Sequence, residues 1–178
     1  MTDHTLFFYG TLMAPQILHR VIHGSPTPEK WQRDLLTFQP AVLHGYKRHR
    51  VRGADYPGII MGEENLSGGA GAGVWGTVVS GLTDGDVYRL DLFEGSEYTK
   101  ERVRVRVLRM ETGEGKDDGR LREVLDGAGE GAEEGEEVDA VTYVYVAGRE
   151  RLEDREWDFE EFKRDKLAWW VGADLSEL

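Results

Sequence analysis

The chain has 178 residues, of which 34 are acidic and 22 are basic, and its formal net charge is −12. This length suits one domain with a sizeable core, and the acidic balance argues against nucleic acid as a partner. No run of residues approaches the roughly 20 apolar positions of a membrane span, so we expect no membrane partner. The N-terminal residues lack the basic and apolar regions of a signal peptide, so we expect a cytoplasmic location. The absence of cysteine excludes disulfides, thiolate nucleophiles and cysteine-ligated metal sites.

The first part of the chain predicts a strand, a turn and a helix. A short apolar strand over residues 5–9 ends at the turn Gly10-Thr11. The segment PQILHRVIHG has apolar residues at helical spacing, with Pro15 suited to the first turn and Gly24 to the end. After a loop with two prolines, AVLHGYKRHRV predicts an irregular strand, YPGIIM a short one, and VWGTVVSGL another.

The second part of the chain predicts a capped helix followed by a strand pair. Thr83 or Asp84 can cap a helix over DVYRLDLFE, and Gly95 can end it. In ERVRVRVLRM, valine alternates with arginine, which is typical of a strand with one buried face and one solvated face. We expect the arginine face to pair with nearby acids, and we expect this strand to form a hairpin with AVTYVYVAG.

Residues 111–139 differ in composition from the rest of the chain. They contain twelve acidic and three basic residues, so most of the net charge belongs to them. They cannot bury enough apolar surface to offset the entropy of ordering, and we predict a flexible insert. We interpret residues 1–178 as a single domain with this flexible acidic insert 111–139 and a C-terminal helix 158–171.

The order of the predicted elements bears on the fold class. Strands do not alternate regularly with helices, which disfavours a doubly wound sheet. We therefore predict an α+β fold built on a mixed or antiparallel sheet that closes into a small β-barrel with flanking helices.

Two segments have residue types suited to chemistry. At YGTLMA, a strand that ends on Gly10-Thr11 presents free backbone N–H groups and a helix start, which together can bind a carboxylate or an oxyanion. Gly10 has no Cβ atom, so a ligand could approach the backbone closely there. At LDLFEGSEY, Glu94 lies at a helix end near Asp91 and Glu97. The negative helix end, the acids and a desolvated site would raise the pKa of Glu94, which suits a general base. An ordinary turn and a surface acid remain the alternatives.

Three motifs together resemble the γ-glutamylcyclotransferase-like superfamily, and its AIG2-like branch in particular. They are FFYGTLM, YPGII at residues 56–60, and LTDGDVYRLDLFEGSEYTKERVRV at residues 82–105. The resemblance implies a small mixed barrel, Glu94 as the proton acceptor, and the release of 5-oxoproline from γ-glutamyl compounds. It also implies a substrate loop at Tyr9, Gly10, Thr11, Leu12, Met13 and Ala14.

A mechanism follows that needs neither a protein nucleophile nor a metal or organic cofactor. Glu94 would take a proton from the α-ammonium group of the substrate, whose amine then attacks the γ-carbonyl within the same molecule. We interpret Tyr9 and Tyr98, with Tyr143 or Tyr145, as cavity walls or hydroxyl donors, although core packing fits these tyrosines equally well.

Other functions remain open at this point. The same pocket could perform γ-glutamyl acyl transfer or isopeptide cleavage, or the domain could bind a small ligand without catalysis. The expected partner is a small-molecule γ-glutamyl substrate. The sequence leaves the leaving amine and the oligomeric state undetermined.

Overall fold

The computed structural model describes residues 4–25, 28–54, 56–61, 73–109 and 133–153, together with residues 157, 161, 162 and 164. The strands are β1 (His4–Phe8), β2 (Thr37–His44), β3 (Tyr46–Arg50), β4 (Pro57–Met61), β5 (Gly73–Leu82), β6 (Tyr98–Arg109) and β7 (Glu133–Tyr145). The helices are α1 (Pro15–His23), α2 (Lys30–Asp34) and α3 (Asp84–Glu94), with 3-10 turns at Thr11–Met13, Gly95–Glu97 and Arg149–Arg151.

Five strands form a closed barrel in the order β1-β5-β2-β6-β7. Strands β1 and β7 close it by parallel pairing, with Leu6 opposite Val141, whereas the other barrel pairs are antiparallel. Strands β3 and β4 form a separate two-stranded sheet. The predicted small mixed barrel with flanking helices is confirmed.

Strand β1 is buried on both of its faces. Leu6 and Phe8 pack in the cluster shared with helices α1 and α3, while Phe7 packs with Tyr9 and the other strands in a second cluster. Because successive side chains of a strand point to opposite faces, a strand between two apolar layers needs apolar residues at every position. This explains the continuous run LFFY.

The C-terminus of α1 and the N-terminus of α3 lie where the sequence predicted them, because residues close in the chain cap these helix ends. Gly24 takes the left-handed conformation at φ 77° after α1. Before α3, the Thr83 hydroxyl accepts a hydrogen bond from the Asp86 N–H, and the Asp86 carboxylate accepts one from the Thr83 N–H. No helix within the described ranges is both long and apolar enough to span a membrane.

Two elements differ from the sequence prediction. Helix α2 was missed because it buries no residue and therefore has no apolar stripe; a capping box between Glu29 and Gln32 supports it instead. The predicted irregular strand is two strands, β2 and β3, separated by Gly45 at φ 89°. The break takes the chain out of the barrel and into the two-stranded sheet.

The β6–β7 hairpin is present, but it is longer than predicted. Strand β7 starts at Glu133, so the prediction of a flexible insert over 111–139 is wrong for residues 133–139. Arg104 contacts Glu137 and Asp139 at 3.3 Å each, and Arg106 contacts Glu137 at 3.6 Å. Cross-strand ion pairs thus support the first part of β7, residues 133–137, which contains no apolar side chain. Residues 111–132 and most of the predicted helix 158–171 lie outside the described residues.

Gly76 on β5 provides a test of the barrel packing. A Cβ atom there would lie 2.2 Å from the Phe8 carbonyl oxygen and 2.8 Å from Phe7 Cζ. We expect Gly76→Ala to lower the free energy of unfolding by about 3 kcal/mol, measured by urea denaturation. The control is Gly85→Ala on α3, where the nearest atom belongs to the flexible Arg89 side chain at 3.4 Å. Equal stability of the two variants would contradict this account of the packing.

Candidate active site

A cavity of about 620 Å³ lies where the end of β1 meets the C-terminal end of α3 and the connection between β3 and β4. This volume is typical of small-molecule sites. The walls are formed by residues 7–12, 53, 54, 56, 57, 92–98 and 143. The cavity therefore brings together the two segments that the sequence analysis singled out, the N-terminal turn and the end of α3.

The N-terminal turn contributes four of its six predicted residues to the cavity walls. Residues 9–12 line the cavity, whereas Met13 and Ala14 lie in the core, where they are 3% and 2% exposed. The N–H groups of Met13 and Ala14 donate to the carbonyls of Gly10 and Thr11. Within the described residues, no backbone carbonyl accepts from the N–H groups of residues 10–12, which leaves these donors available to a ligand.

The structure gives a different reason for a glycine at position 10 from the one inferred from the sequence. A Cβ atom at this position would lie 2.8 Å from Pro57 Cδ, and a proline ring cannot rotate away. Its φ of −122° is open to any residue. Close packing of the turn against Pro57 therefore explains the glycine, whereas the sequence analysis explained it by the approach of a ligand.

Glu94 is the last residue of α3 and is half-buried. Part of it is accessible from the cavity, but protein atoms surround the carboxyl group. This burial, followed by the negative charge of Asp91, raises the pKa of Glu94 from 4.5 to about 8. At pH 7 the carboxyl group is therefore mainly protonated. The rise was predicted, but burial is its main cause.

Asp91 connects the end of α3 to the barrel. The Tyr143 hydroxyl donates to Asp91 Oδ1 at 2.8 Å, and Lys100 Nζ donates to Oδ2 at 3.0 Å. These two contacts fix one turn of α3 against β7 and β6. They hold Asp91 near Glu94 and therefore maintain the charge that helps to raise the pKa of Glu94.

Comparison with known proteins identifies the family of this chain. The chain matches the family described as "Gamma-glutamyl cyclotransferase, AIG2-like" over residues 6–159. The chain belongs to this family. Two curated relatives are from Arabidopsis thaliana: Protein AIG2 C is 28% identical and covers 90% of this chain and 73% of the relative. AIG2-like protein B is 30% identical, and the match covers 96% of this chain and 75% of that relative.

Solved structures agree on the fold of this AIG2-like chain. A solution structure of an Arabidopsis thaliana protein is 26% identical, with a TM-score of 0.55, and the match covers 96% of this chain and 79% of the other. A structure named Gamma-glutamyl cyclotransferase is 16% identical, with a TM-score of 0.50, and the match covers 85% of this chain and 69% of the other. At that identity, the second likeness shows the shared fold alone.

The tyrosines of the AIG2-like site form walls, and their hydroxyl protons are already used. Tyr9 donates to the Tyr143 carbonyl at 2.7 Å, and Tyr98 donates to the Pro57 carbonyl at 2.8 Å. Burial raises the pKa of Tyr9, Tyr98 and Tyr143, so these phenols stay neutral. Of the two roles considered from the sequence, this arrangement favours cavity walls over hydroxyl donors to a ligand.

The sequence analysis missed one whole wall of the cavity. Gly53, Ala54, Tyr56 and Pro57 lie between β3 and β4 or at the start of β4, and they line one side of the cavity. The motif YPGII contains two of these residues, but nothing in its composition indicates a site. Glu97 was noted only as a neighbouring acid, and it also lines the cavity.

The influence of Asp91 on Glu94 can be measured directly. We expect Asp91→Asn to lower the pKa of Glu94 from about 8, because the substitution removes a nearby negative charge. Carbon-detected NMR titration of the Glu94 carboxyl group measures this shift. The matched variant Lys100→Met removes the cation bound to Asp91 and should not lower the pKa. A downward shift in both variants would contradict the assignment.

Proposed function

We propose that this protein is a γ-glutamyl cyclotransferase that releases 5-oxoproline from a γ-glutamyl amine or peptide, with Glu94 as general base. One observation carries the proposal: the Glu94 carboxyl group, with a pKa of about 8, shares a cavity with residues 10–12 of the N-terminal turn, whose N–H groups donate to no backbone carbonyl of the described residues. Membership of the AIG2-like family supports the same reaction class.

The reaction is an internal transfer of the γ-acyl group. The ionised Glu94 carboxylate takes a proton from the substrate α-ammonium, and the resulting amine attacks the γ-carbonyl carbon of the same molecule. A new carbon–nitrogen bond closes the five-membered lactam, and the bond to the leaving nitrogen breaks. Overall, two protons pass from the α-nitrogen to the leaving nitrogen, and Glu94 serves as their carrier. Attack within one molecule needs no protein nucleophile.

The N-terminal turn would bind the negatively charged group of the substrate. Among the residues that the structure describes, those that line the cavity include no lysine, arginine or histidine. We therefore assign the substrate α-carboxylate or the oxyanion to the backbone N–H groups of residues 10–12. Tyr9, Tyr56 and Tyr98 form aromatic walls of the cavity. A substrate bound between them would be shielded from water, which favours lactam formation over hydrolysis of the γ-acyl group.

The test is direct detection of the product. The protein is incubated with γ-glutamyl amines, γ-glutamyl dipeptides and glutathione, and 5-oxoproline is measured by mass spectrometry. Release of 5-oxoproline from at least one class, lost in Glu94→Gln, is the expected result. Release of free glutamate or of a γ-glutamyl transfer product instead would favour isopeptide cleavage or acyl transfer. Binding without any product would favour a ligand-binding module.

A further inference from the structure

We propose that Arg48 is a positioning residue for the candidate active site, because its guanidinium group holds the Tyr9–Gly10 peptide with the Gly10 N–H directed into the cavity. The catalytic consequence rests on the proposed function, in which the N–H groups of residues 10–12 bind the anionic group of the substrate. The burial of Arg48, its hydrogen bonds and the geometry of this peptide carry the inference.

Arg48 lies in the middle of β3, and its side chain is buried. It is 9% exposed, whereas the preceding residue on the strand, Lys47, is exposed. The centre of the Arg48 guanidinium group lies 5.5 Å from the centroid of the Trp157 ring, a distance at which a cation and an aromatic face attract each other. A buried charge is costly unless polar groups bind it, so the acceptors that Arg48 binds indicate its role.

Arg48 bridges two backbone carbonyls where the pairing of β1 with β5 ends. Its Nη1 donates to the Tyr9 carbonyl at 2.8 Å and to the Trp75 carbonyl at 3.2 Å. The last paired residues of these strands are Phe8 and Thr77. Arg48 therefore ties the two chains together beyond the end of their ladder, and it does so at the residue that precedes the N-terminal turn.

The hydrogen bond to the Tyr9 carbonyl also sets the direction of the next N–H group. The Tyr9–Gly10 peptide is trans, and the C=O and N–H groups of a trans peptide point in opposite directions. The Gly10 N–H is therefore directed away from Arg48. Among the residues that the structure describes, Gly10 lines the cavity and Arg48 does not. The anchored carbonyl thus places the N–H on the cavity side of the turn.

Without Arg48, the same peptide has a second orientation open to it. A flip of the peptide would take Gly10 from φ −122° to about 60°, a left-handed conformation that glycine adopts without steric cost. The flip would replace the N–H donor in the cavity by a carbonyl oxygen, which repels a carboxylate or an oxyanion. Hydrogen bonds from a charged donor are about twice as strong as neutral ones, so Arg48 stabilises the orientation that presents the donor.

The anchored peptide also carries the influence of a positive charge into an acidic cavity. Glu94 and Glu97 line the cavity, and its described walls contain no lysine, arginine or histidine. A guanidinium group bound to a carbonyl polarises the peptide and strengthens the donor at its other end. An anion bound at Gly10 would therefore be stabilised by Arg48 without touching it.

The kinetic test compares Arg48→Met, Arg48→Lys and Lys47→Met. Methionine keeps an apolar stem without a donor, lysine keeps a cationic donor, and Lys47→Met removes an exposed cation from the same strand. With a γ-glutamyl amine, we expect kcat/KM to fall by about 10- to 100-fold in Arg48→Met, somewhat less than the usual loss when an oxyanion donor is removed outright. Arg48→Lys should lie at least about threefold above Arg48→Met, and Lys47→Met should keep the wild-type value.

Two readouts distinguish positioning from a general loss of structure. The rise of the rate toward about pH 8 should persist in Arg48→Met, because burial and Asp91 raise the pKa of Glu94. In NMR spectra, the couplings between the N–H and the two Hα protons of Gly10 depend on φ. They should match −122° in the wild type and shift toward those of a positive φ in Arg48→Met.

The possible failures are distinguishable. Unchanged Gly10 couplings in Arg48→Met, an unchanged kcat/KM, or loss of the pH dependence together with the activity would each overturn the role of Arg48 while leaving the proposed function intact. If the wild type turns over no γ-glutamyl compound, the proposed function fails. The Gly10 couplings then still decide whether Arg48 sets the orientation of the peptide.

Discussion

Replacement of Glu94 by glutamine is expected to lower the release of 5-oxoproline by about 10²- to 10⁴-fold, the usual contribution of a positioned general base. The amide has nearly the same shape as the carboxyl group but cannot accept the proton of the α-ammonium. The substrate would then remain protonated and non-nucleophilic. Steady-state kinetics with a γ-glutamyl amine measure the loss, which should appear in kcat.

Two further readouts separate a chemical role of Glu94 from a structural one. The wild-type rate should rise with pH toward about 8, as Glu94 ionises, whereas the residual rate of Glu94→Gln should lack this limb. The Glu101→Gln variant, altered outside the cavity, should keep the wild-type rate and pH profile. A Glu94→Gln enzyme that retains more than about a tenth of the wild-type kcat would remove Glu94 from the mechanism.

Local sequence signals predicted much of the framework around this residue. Thr83 and Asp86 cap α3 through contacts three residues apart, and Gly24 ends α1 through its own conformation. Such features depend on neighbours along the chain, so a single sequence reveals them. They were enough to place Glu94 at a helix end and the N-terminal turn after a buried strand.

The features that the sequence did not reveal depend on contacts between distant residues. The Tyr98 hydroxyl meets the Pro57 carbonyl across 41 positions, and Gly10 packs against Pro57 across a similar separation. No periodicity reports such contacts, so the wall formed by β3 and β4 was missed. The start of β7 was misplaced for the same reason, because its acids are stabilised by arginines on β6.

The degree of burial of Glu94 also depends on these distant contacts. The sequence predicted a raised pKa from the helix end, the nearby acids and a desolvated site, and burial of the carboxyl group is the largest of the causes. A helix end alone changes a pKa modestly, whereas removal from water has a large effect. The wall that the sequence missed lines the same cavity as Glu94.

The same enclosure has an energetic cost, and Glu94→Gln is expected to stabilise the protein at alkaline pH. Glu94 ionises near 4.5 in the unfolded chain and near 8 in the native state. Between these values the native state binds one more proton than the unfolded state, so stability falls as the pH rises. The slope is about 1.4 kcal/mol per pH unit. Glutamine does not titrate, and its advantage should therefore grow from about pH 4.5 to about pH 8.

Urea unfolding of the wild type and of Glu94→Gln at pH 5, 7 and 9 measures the difference in their free energies of unfolding. The contributions of the other titrating groups cancel in this difference, so it reports on Glu94. We expect a small difference at pH 5 and one of a few kcal/mol at pH 9, with glutamine the more stable. In the Asp91→Asn background the native pKa of Glu94 is lower, so the gain should level off at a lower pH. A pH-independent difference would mean that the Glu94 carboxyl group is solvated in the native state. The raised pKa that makes it a base near neutrality would then be absent, since one desolvation produces both the cost to stability and the capacity to accept a proton.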